Sequence, residues 1–115
     1  MSRSEGVEME MTAERTVMEL IVYSGDARSK AIEAMRKAKN GEMETAKAKI
    51  KEADEQLNIA HNHQTKMIQM EAGGETMDFS LLLVHAQDHL MNAITIRDLA
   101  KEIIAIHEKL KEAGL

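Results

Sequence analysis

Apolar side chains recur every three or four residues along three long stretches of the chain. This spacing places them on one face of an α-helix, so the pattern predicts helices over residues 8–39, 42–70 and 79–112. Two polar breaks separate the stretches, one at Asn40-Gly41 and one around Gly73-Gly74, and both contain the glycines that end helices and form turns. Residues 1–8 precede the first helix and are expected to form a flexible N-terminus.

Each predicted helix carries one stripe of residues suited to the core of a helical bundle. The stripes are Val17, Leu20, Ser24, Ala27, Ala31, Ala34 and Ala38; then Met43, Ala46, Ile50, Ala53, Leu57, Ala60, Gln64 and Met67; then Leu82, His85, His89, Asn92, Ile96, Leu99, Ile103, Ile106 and Leu110. Such spacing is typical of the seam of a left-handed bundle, and short connections make neighbouring helices antiparallel. The predicted fold class is therefore all-α, with residues 1–115 forming one antiparallel three-helix domain.

The composition also favours long helices. Proline is absent, glycine occurs 6 times, and aromatic residues are limited to Tyr23 and Phe79, whereas a β-sheet core draws on aromatic and β-branched side chains. Gly25 lies inside the first helix, where it either kinks the helix or permits a close contact. Asp78 or Ser80 is suited to cap the third helix.

Charge and hydropathy exclude several classes of protein. The net charge of −5 argues against binding to nucleic acid or to an anionic membrane, because both need a basic surface. There is no cysteine and no run of about 18 apolar residues that could span a bilayer. The first six residues lack the apolar stretch that is typical of a signal peptide, so none is expected there. A cytoplasmic location is expected, and any role in a membrane process would depend on a partner protein.

Near its start, the third predicted helix has four successive apolar residues, from Leu81 to Val84. Successive positions point to all sides of a helix, and a helix that is apolar all round is normally buried all round. Two neighbouring helices cover only part of its circumference. We therefore expect the third helix to pack against other subunits of an oligomer.

A polar stripe interrupts this apolar helix. His85, Asp88, His89 and Asn92 are spaced so that they share one face. Three interpretations of the stripe remain open on spacing alone: a hydrogen-bonded polar cluster that sets the register of the bundle, a metal site, or a catalytic histidine.

Elementary chemistry narrows the catalytic interpretation to phosphoryl transfer. A neutral imidazole can attack phosphorus and form a phosphohistidine, and His89 one turn away could donate a hydrogen bond to the phosphoryl oxygens. Gln87 offers an amide donor, although two residues along the helix it points off the His85 face. The sequence has no glycine-rich phosphate loop, so phosphate would arrive on another protein, which favours a relay protein over a kinase.

The remaining histidines are weaker candidates. His61 and His63 are two residues apart and face different sides of a helix, which makes a joint metal site unfavourable. His107 is assigned a surface or packing role. A di-metal helical bundle would offer a Glu-x-x-His motif on two helices, and neither His85 nor His61 is preceded by one.

Three segments of the chain resemble one known family. The stretch from Val84 to Met91 resembles the phosphorylation motif of the lactose/cellobiose-type IIA proteins of the sugar phosphotransferase system, the PTS. The matching segments on the other two helices are residues 24–29 and 60–66, and the resemblance extends over residues 18–110. Ile59 departs from the family pattern, which has an acidic residue before Ala-His.

The resemblance implies a fold, an activity and a set of partners. It implies a homotrimer with a nine-helix bundle, in which His85 accepts a phosphoryl group from phospho-HPr and passes it to the IIB component. His89 matches the neighbour of the phosphorylated histidine, and Asp88 matches a carboxylate on the three-fold axis that shares a metal ion. Oxygen ligands favour Mg²⁺ there. The IIC component would import the sugar, which leaves lactose, cellobiose and chitobiose open; a non-catalytic helical adaptor is the alternative function.

Overall fold

The computed structural model describes residues 3–74 and 80–115, with side chains from residue 13 onward. It contains three α-helices: α1 (Arg3–Lys39), α2 (Met43–Ala72) and α3 (Leu81–Glu112). The predicted all-α, three-helix fold is confirmed. Helix α1 begins five residues before the predicted start. The flexibility expected of residues 1–8 is untested and stays a prediction.

The turn between α1 and α2 forms where Asn40-Gly41 predicted it. Gly41 has a φ of +83°, in the left-handed region that residues with a Cβ rarely adopt. The backbone N–H of Gly41 donates to the carbonyl of Ala38 at 3.0 Å, and that of Glu42 donates to the carbonyl of Lys37 at 2.9 Å. These bonds satisfy the last carbonyls of α1 and reverse the chain.

Ser80 caps the start of α3. Its backbone is extended, and its Oγ accepts a hydrogen bond of 3.1 Å from the backbone N–H of Leu83. This is the geometry of an N-terminal cap, which satisfies one of the free N–H groups of the first turn. Of the two predicted caps, Ser80 is therefore confirmed, and Asp78 lies outside the described residues. The cap leaves His85 in the second turn of α3.

The cores of α1 and α2 follow the predicted stripes. Helix α1 packs along both α2 and α3, and the bundle is 67 Å long with a cross-section of 21 × 17 Å. The residues buried on α1 are Thr16, Val17, Leu20, Ser24, Ala27, Ala31, Ala34 and Ala38. Those on α2 are Met43, Ala46, Ala53, Leu57, Ala60 and Met67, with Ile50 and Gln64 half-buried.

The predicted stripe of α3 is wrong by one residue. The buried side chains of α3 are those of Ala86, Leu90, Ala93, Ala100 and Ile104, and the half-buried Leu83, Ile94 and Ile96 pack against this core. Three of them are alanines, which let α3 approach the alanine-rich face of α1 closely. The predicted residues are larger, and most are exposed; Leu99 is 56% exposed and Ile106 57%. Whether other subunits cover this outer face, as expected, stays a prediction.

Helix α1 runs through Gly25 without interruption. No heavy atom of a neighbouring residue lies within 4 Å of the position that a Cβ would occupy there, so Gly25 does not serve a close contact within the described chain. None of the helices, over the residues that the structure describes, combines the length and apolar character needed to cross a membrane.

Candidate functional site

His85 is exposed on the flank of α3, and His89 lies beside it, half-buried, one turn further along. The centroids of the two imidazole rings are 4.4 Å apart and their planes are inclined at 86°, so one ring presents its edge to the other. Two fully buried neighbours, Ala86 and Leu90, hold this part of α3 in the core. The flank that carries both histidines is thereby kept at the surface.

Gln87 faces away from His85. Two residues correspond to a rotation of about 200° around a helix, so the two side chains lie on nearly opposite flanks of α3. The side-chain Nε2 of Gln64 on α2 donates a hydrogen bond of 2.8 Å to Oε1 of Gln87. Both side chains are half-buried. Within one chain, Gln87 is therefore directed towards α2 and not towards His85.

Asp88 and Asn92 lie exposed on the outward face of α3. In residues 3–74 and 80–115, no hydrogen bond or ion pair involves either side chain. The same residues contain no group of three or more histidine, aspartate or glutamate side chains close enough to hold a metal ion. Within the part of the chain that the structure describes, Asp88 thus offers carboxylate oxygens but does not combine with other side chains into a metal site.

The other histidines lie outside this site. His61 is exposed and His107 is half-buried. His63 faces α1, where its Nε2 is 3.1 Å from Oε2 of Glu19 and its ring stacks on Tyr23 with centroids 5.8 Å apart. His61 and His63 thus face different sides of α2, as predicted. Sequence spacing did not indicate the partners of His63, because they lie on another helix.

A charged cluster joins α2 to α3 about 18 Å further along the helix from His85. Nη1 of Arg97 donates to Oδ1 of Asp54 at 2.7 Å, and Nζ of Lys101 is 3.0 Å from Oδ2 of Asp54. Partial burial acts to raise the pKa of Asp54, but the bonds from Arg97 and Lys101 outweigh it and hold the pKa below its usual value. The cluster fastens two helices together and is remote from the histidines.

Residues 15–108 match the family described as "PTS system, Lactose/Cellobiose specific IIA subunit". The chain belongs to this family. The match includes all the residues of the candidate site and most of the three helices. Ile59, where the resemblance led us to expect an acidic residue, lies exposed on α2 of this IIA protein.

Relatives of this IIA protein are found among characterised sequences and solved structures. The lichenan-specific phosphotransferase enzyme IIA component of Bacillus subtilis is 50% identical over 99 residues, which cover 86% of this chain and 90% of the relative. The crystal structure of the PTS cellobiose-specific enzyme IIA from Bacillus anthracis superposes with a TM-score of 0.85 at 50% identity, covering 88% of this chain and 93% of that one. A solution structure of a IIA(Chitobiose)–HPr complex superposes with a TM-score of 0.75 at 47% identity, covering 86% and 96%.

Proposed function

We propose that this IIA protein carries a phosphoryl group on His85, taking it from phospho-HPr and passing it to a IIB component. The observation that carries the proposal is the exposed imidazole of His85 beside that of His89, on the surface flank of α3. The relative that was solved in complex with HPr supports HPr as the donor. The sugar served by the relay would be a β-linked disaccharide such as lactose, cellobiose or chitobiose.

The reaction needs little besides an accessible nitrogen and a correct orientation. The lone pair of a neutral imidazole nitrogen of His85 attacks the phosphorus in line with the departing atom of phospho-HPr. The new N–P bond forms as the bond between phosphorus and HPr breaks. The leaving atom of HPr keeps that electron pair and takes up a proton, and the second ring nitrogen of His85 gives one up. His89 donates a hydrogen bond to a phosphoryl oxygen. An acceptor group on IIB then attacks the same phosphorus and releases His85.

The exposed leucine and isoleucine side chains of α3 support assembly as a homotrimer through this helix. Residues along the outer face, including His85, Asp88, Asn92 and Leu99, follow the steps of three and four that are typical of a coiled-coil seam. In a three-fold ring each interface is head-to-tail, so one flank of α3 meets the opposite flank of the next copy. Gln87 would therefore support the phosphoryl group of a neighbouring copy, and not that of its own chain.

In such a trimer Asp88 would hold a divalent cation on the three-fold axis, with Mg²⁺ favoured by carboxylate oxygens. The cation would remove the repulsion among three carboxylates. We expect Asp88→Leu to keep or strengthen the trimer in sedimentation experiments, because apolar volume replaces buried charge. Dissociation of the leucine variant would count against an axial carboxylate. Chelation by EDTA should weaken the wild-type trimer and leave the variant unaffected.

Phosphoryl transfer can be tested by mass spectrometry. Incubation with phosphorylated HPr should add about 80 Da, the mass of a phosphoryl group, in an acid-labile form. His85→Ala should abolish this gain, whereas the control His61→Ala, which removes an exposed histidine on α2, should retain it. A His85 variant that is still labelled would remove His85 from the role. The alternative, a helical adaptor that binds through the exposed apolar face of α3, predicts no phosphorylation of the wild type.

A further inference from the structure

Gln87 can present either of two opposite groups to its surroundings. The amide of glutamine has nearly the same shape in both orientations, but one end donates two hydrogen bonds and the other accepts them. In this structure Oε1 of Gln87 receives the N–H of Gln64 at 2.8 Å. The carbonyl end is thereby directed to α2, and the NH₂ end is left available for another partner.

We propose that Gln64 is a positioning residue for phosphoryl transfer, because it keeps the NH₂ end of Gln87 available to a phosphoryl group. The inference rests on the proposed function, and specifically on the support of a neighbouring copy's phosphohistidine by Gln87. Phosphoryl oxygens are acceptors only, so an N–H stabilises them and a carbonyl oxygen repels them. The orientation of the Gln87 amide therefore decides whether this side chain helps or hinders transfer.

The surroundings of Gln64 suit it to this task. It lies half-buried on α2, one turn beyond Ala60 and one turn before Met67, both of which are buried in the core. Its side chain is thus held at the edge of the core, and it reaches α3 at the level of the histidines. A half-buried amide that keeps one partner has far fewer orientations than a surface amide. This explains a polar residue at a position that the helical period assigns to the core.

Variants of Gln64 that differ in hydrogen-bonding character test the proposal. Gln64→Glu can only accept, so Gln87 must turn and donate its NH₂ to the new carboxylate. Gln64→Lys can only donate, so it should preserve the orientation. Gln64→Met removes the hydrogen bond to Gln87 without adding charge, and it leaves the side-chain amide of Gln87 free to turn.

We expect kcat for transfer from phospho-HPr to fall about tenfold in the glutamate variant, equivalent to one lost hydrogen bond in the transition state. The methionine variant should show a smaller loss, and the lysine variant should match the wild type. KM for phospho-HPr should change little, because Gln87 would act on the transferred group. The side-chain NH₂ resonances of Gln87 in nuclear magnetic resonance spectra should move in the glutamate variant and stay in place in the lysine variant.

Gln69 offers matched controls for the added charge. It is exposed on the same helix, and Gln69→Glu and Gln69→Lys should both transfer at the wild-type rate. A purely structural role for Gln64 predicts that the glutamate and lysine variants lose activity equally, which would overturn the proposal. Wild-type kcat in the glutamate variant, or in Gln87→Ala, would overturn it as well. A wild-type protein that accepts no phosphoryl group at all would instead refute the proposed function.

Discussion

The inner and outer faces of α3 differ in side-chain size more than in hydrophobicity. Ala86, Ala93 and Ala100 pack against the other two helices, whereas larger residues such as Leu99 and Ile106 face outward. Small side chains let helices approach closely, and the larger apolar ones remain exposed on the other face. Hydrophobicity alone therefore does not identify the core of a single subunit when one helix carries apolar side chains on two faces.

The outer face of α3 also changes from polar to aliphatic along its length. Its N-terminal half carries His85, Asp88 and Asn92, and its C-terminal half is mainly aliphatic. Polar groups that are exposed on the subunit cost little to maintain until they are covered. The chemistry of the protein can thus lie beside an apolar surface without weakening the subunit's own core.

Truncation of one leucine on each face of α3 should give the largest difference between two variants in subunit stability. Leu90→Ala should lower the free energy of unfolding by about 3 kcal/mol, because Leu90 is fully buried and its loss leaves a cavity. Leu99→Ala should leave the unfolding of the isolated subunit within about 0.5 kcal/mol of wild type and instead weaken self-association. Urea denaturation and sedimentation separate the two effects. Equal destabilisation of the subunit by both variants would contradict the distinction between the faces.

Asp54→Asn tests the charged cluster that fastens α3 to α2. We expect the free energy of unfolding to fall by about 1 kcal/mol at pH 7, because the contacts of residue 54 with Arg97 and Lys101 are no longer strengthened by a negative charge. The pKa of Asp54 is lowered by folding, so its contribution is present above the unfolded pKa of about 3.9 and is lost as the pH falls through the lower folded pKa.

The difference between wild type and Asp54→Asn in urea midpoint should therefore shrink as the pH is reduced from 6 towards the folded pKa. Glu55→Gln, at an exposed neighbouring position on α2, is the control and should show no such dependence. A difference that persists unchanged in acid would mean that the cluster does not act through the charge of Asp54.

Alanine variants of His63 and His85 distinguish a histidine that stabilises the fold from one that takes part in phosphoryl transfer. His63→Ala should lower the unfolding free energy by about 0.5–1 kcal/mol, because contacts with Glu19 and Tyr23 are lost, and phosphoryl transfer should continue. His85→Ala should leave stability nearly unchanged, since its ring is exposed. Thermal melts combined with the phosphorylation assay would distinguish them. Loss of transfer in the His63 variant would extend the site to His63 on α2 and to the side chains that it contacts on α1.

Ser24→Ala is expected to have the smallest effect on stability, and to raise the free energy of unfolding where the other variants lower it. Ser24 is fully buried on α1, and among the described residues its Oγ has no hydrogen-bond partner. Alanine removes this unsatisfied group and favours the helix, so stability should rise by about 0.5 kcal/mol. Chemical denaturation measures the change. A loss of stability would indicate that the hydroxyl is satisfied in solution.

The period of apolar residues determined the three helices and the cores of α1 and α2, and Asn40-Gly41 determined the turn between α1 and α2, because those features depend on interactions between residues close in sequence. Ser80 and Gly41 were predictable for the same reason, since caps and turns are local. The family resemblance pointed to His85, and the exposed position of that residue agrees with a role in transfer.

Only the tertiary structure decided which stripe of α3 enters the core, which way Gln87 points, and which residues contact His63 and Asp54. Each of these depends on a side chain from another helix, and sequence spacing describes only one helix at a time. The two stripes of α3 differ by a rotation of one residue, about 100°. The choice between them was made by the close fit of alanines between helices, and that fit exists only after the chain has folded.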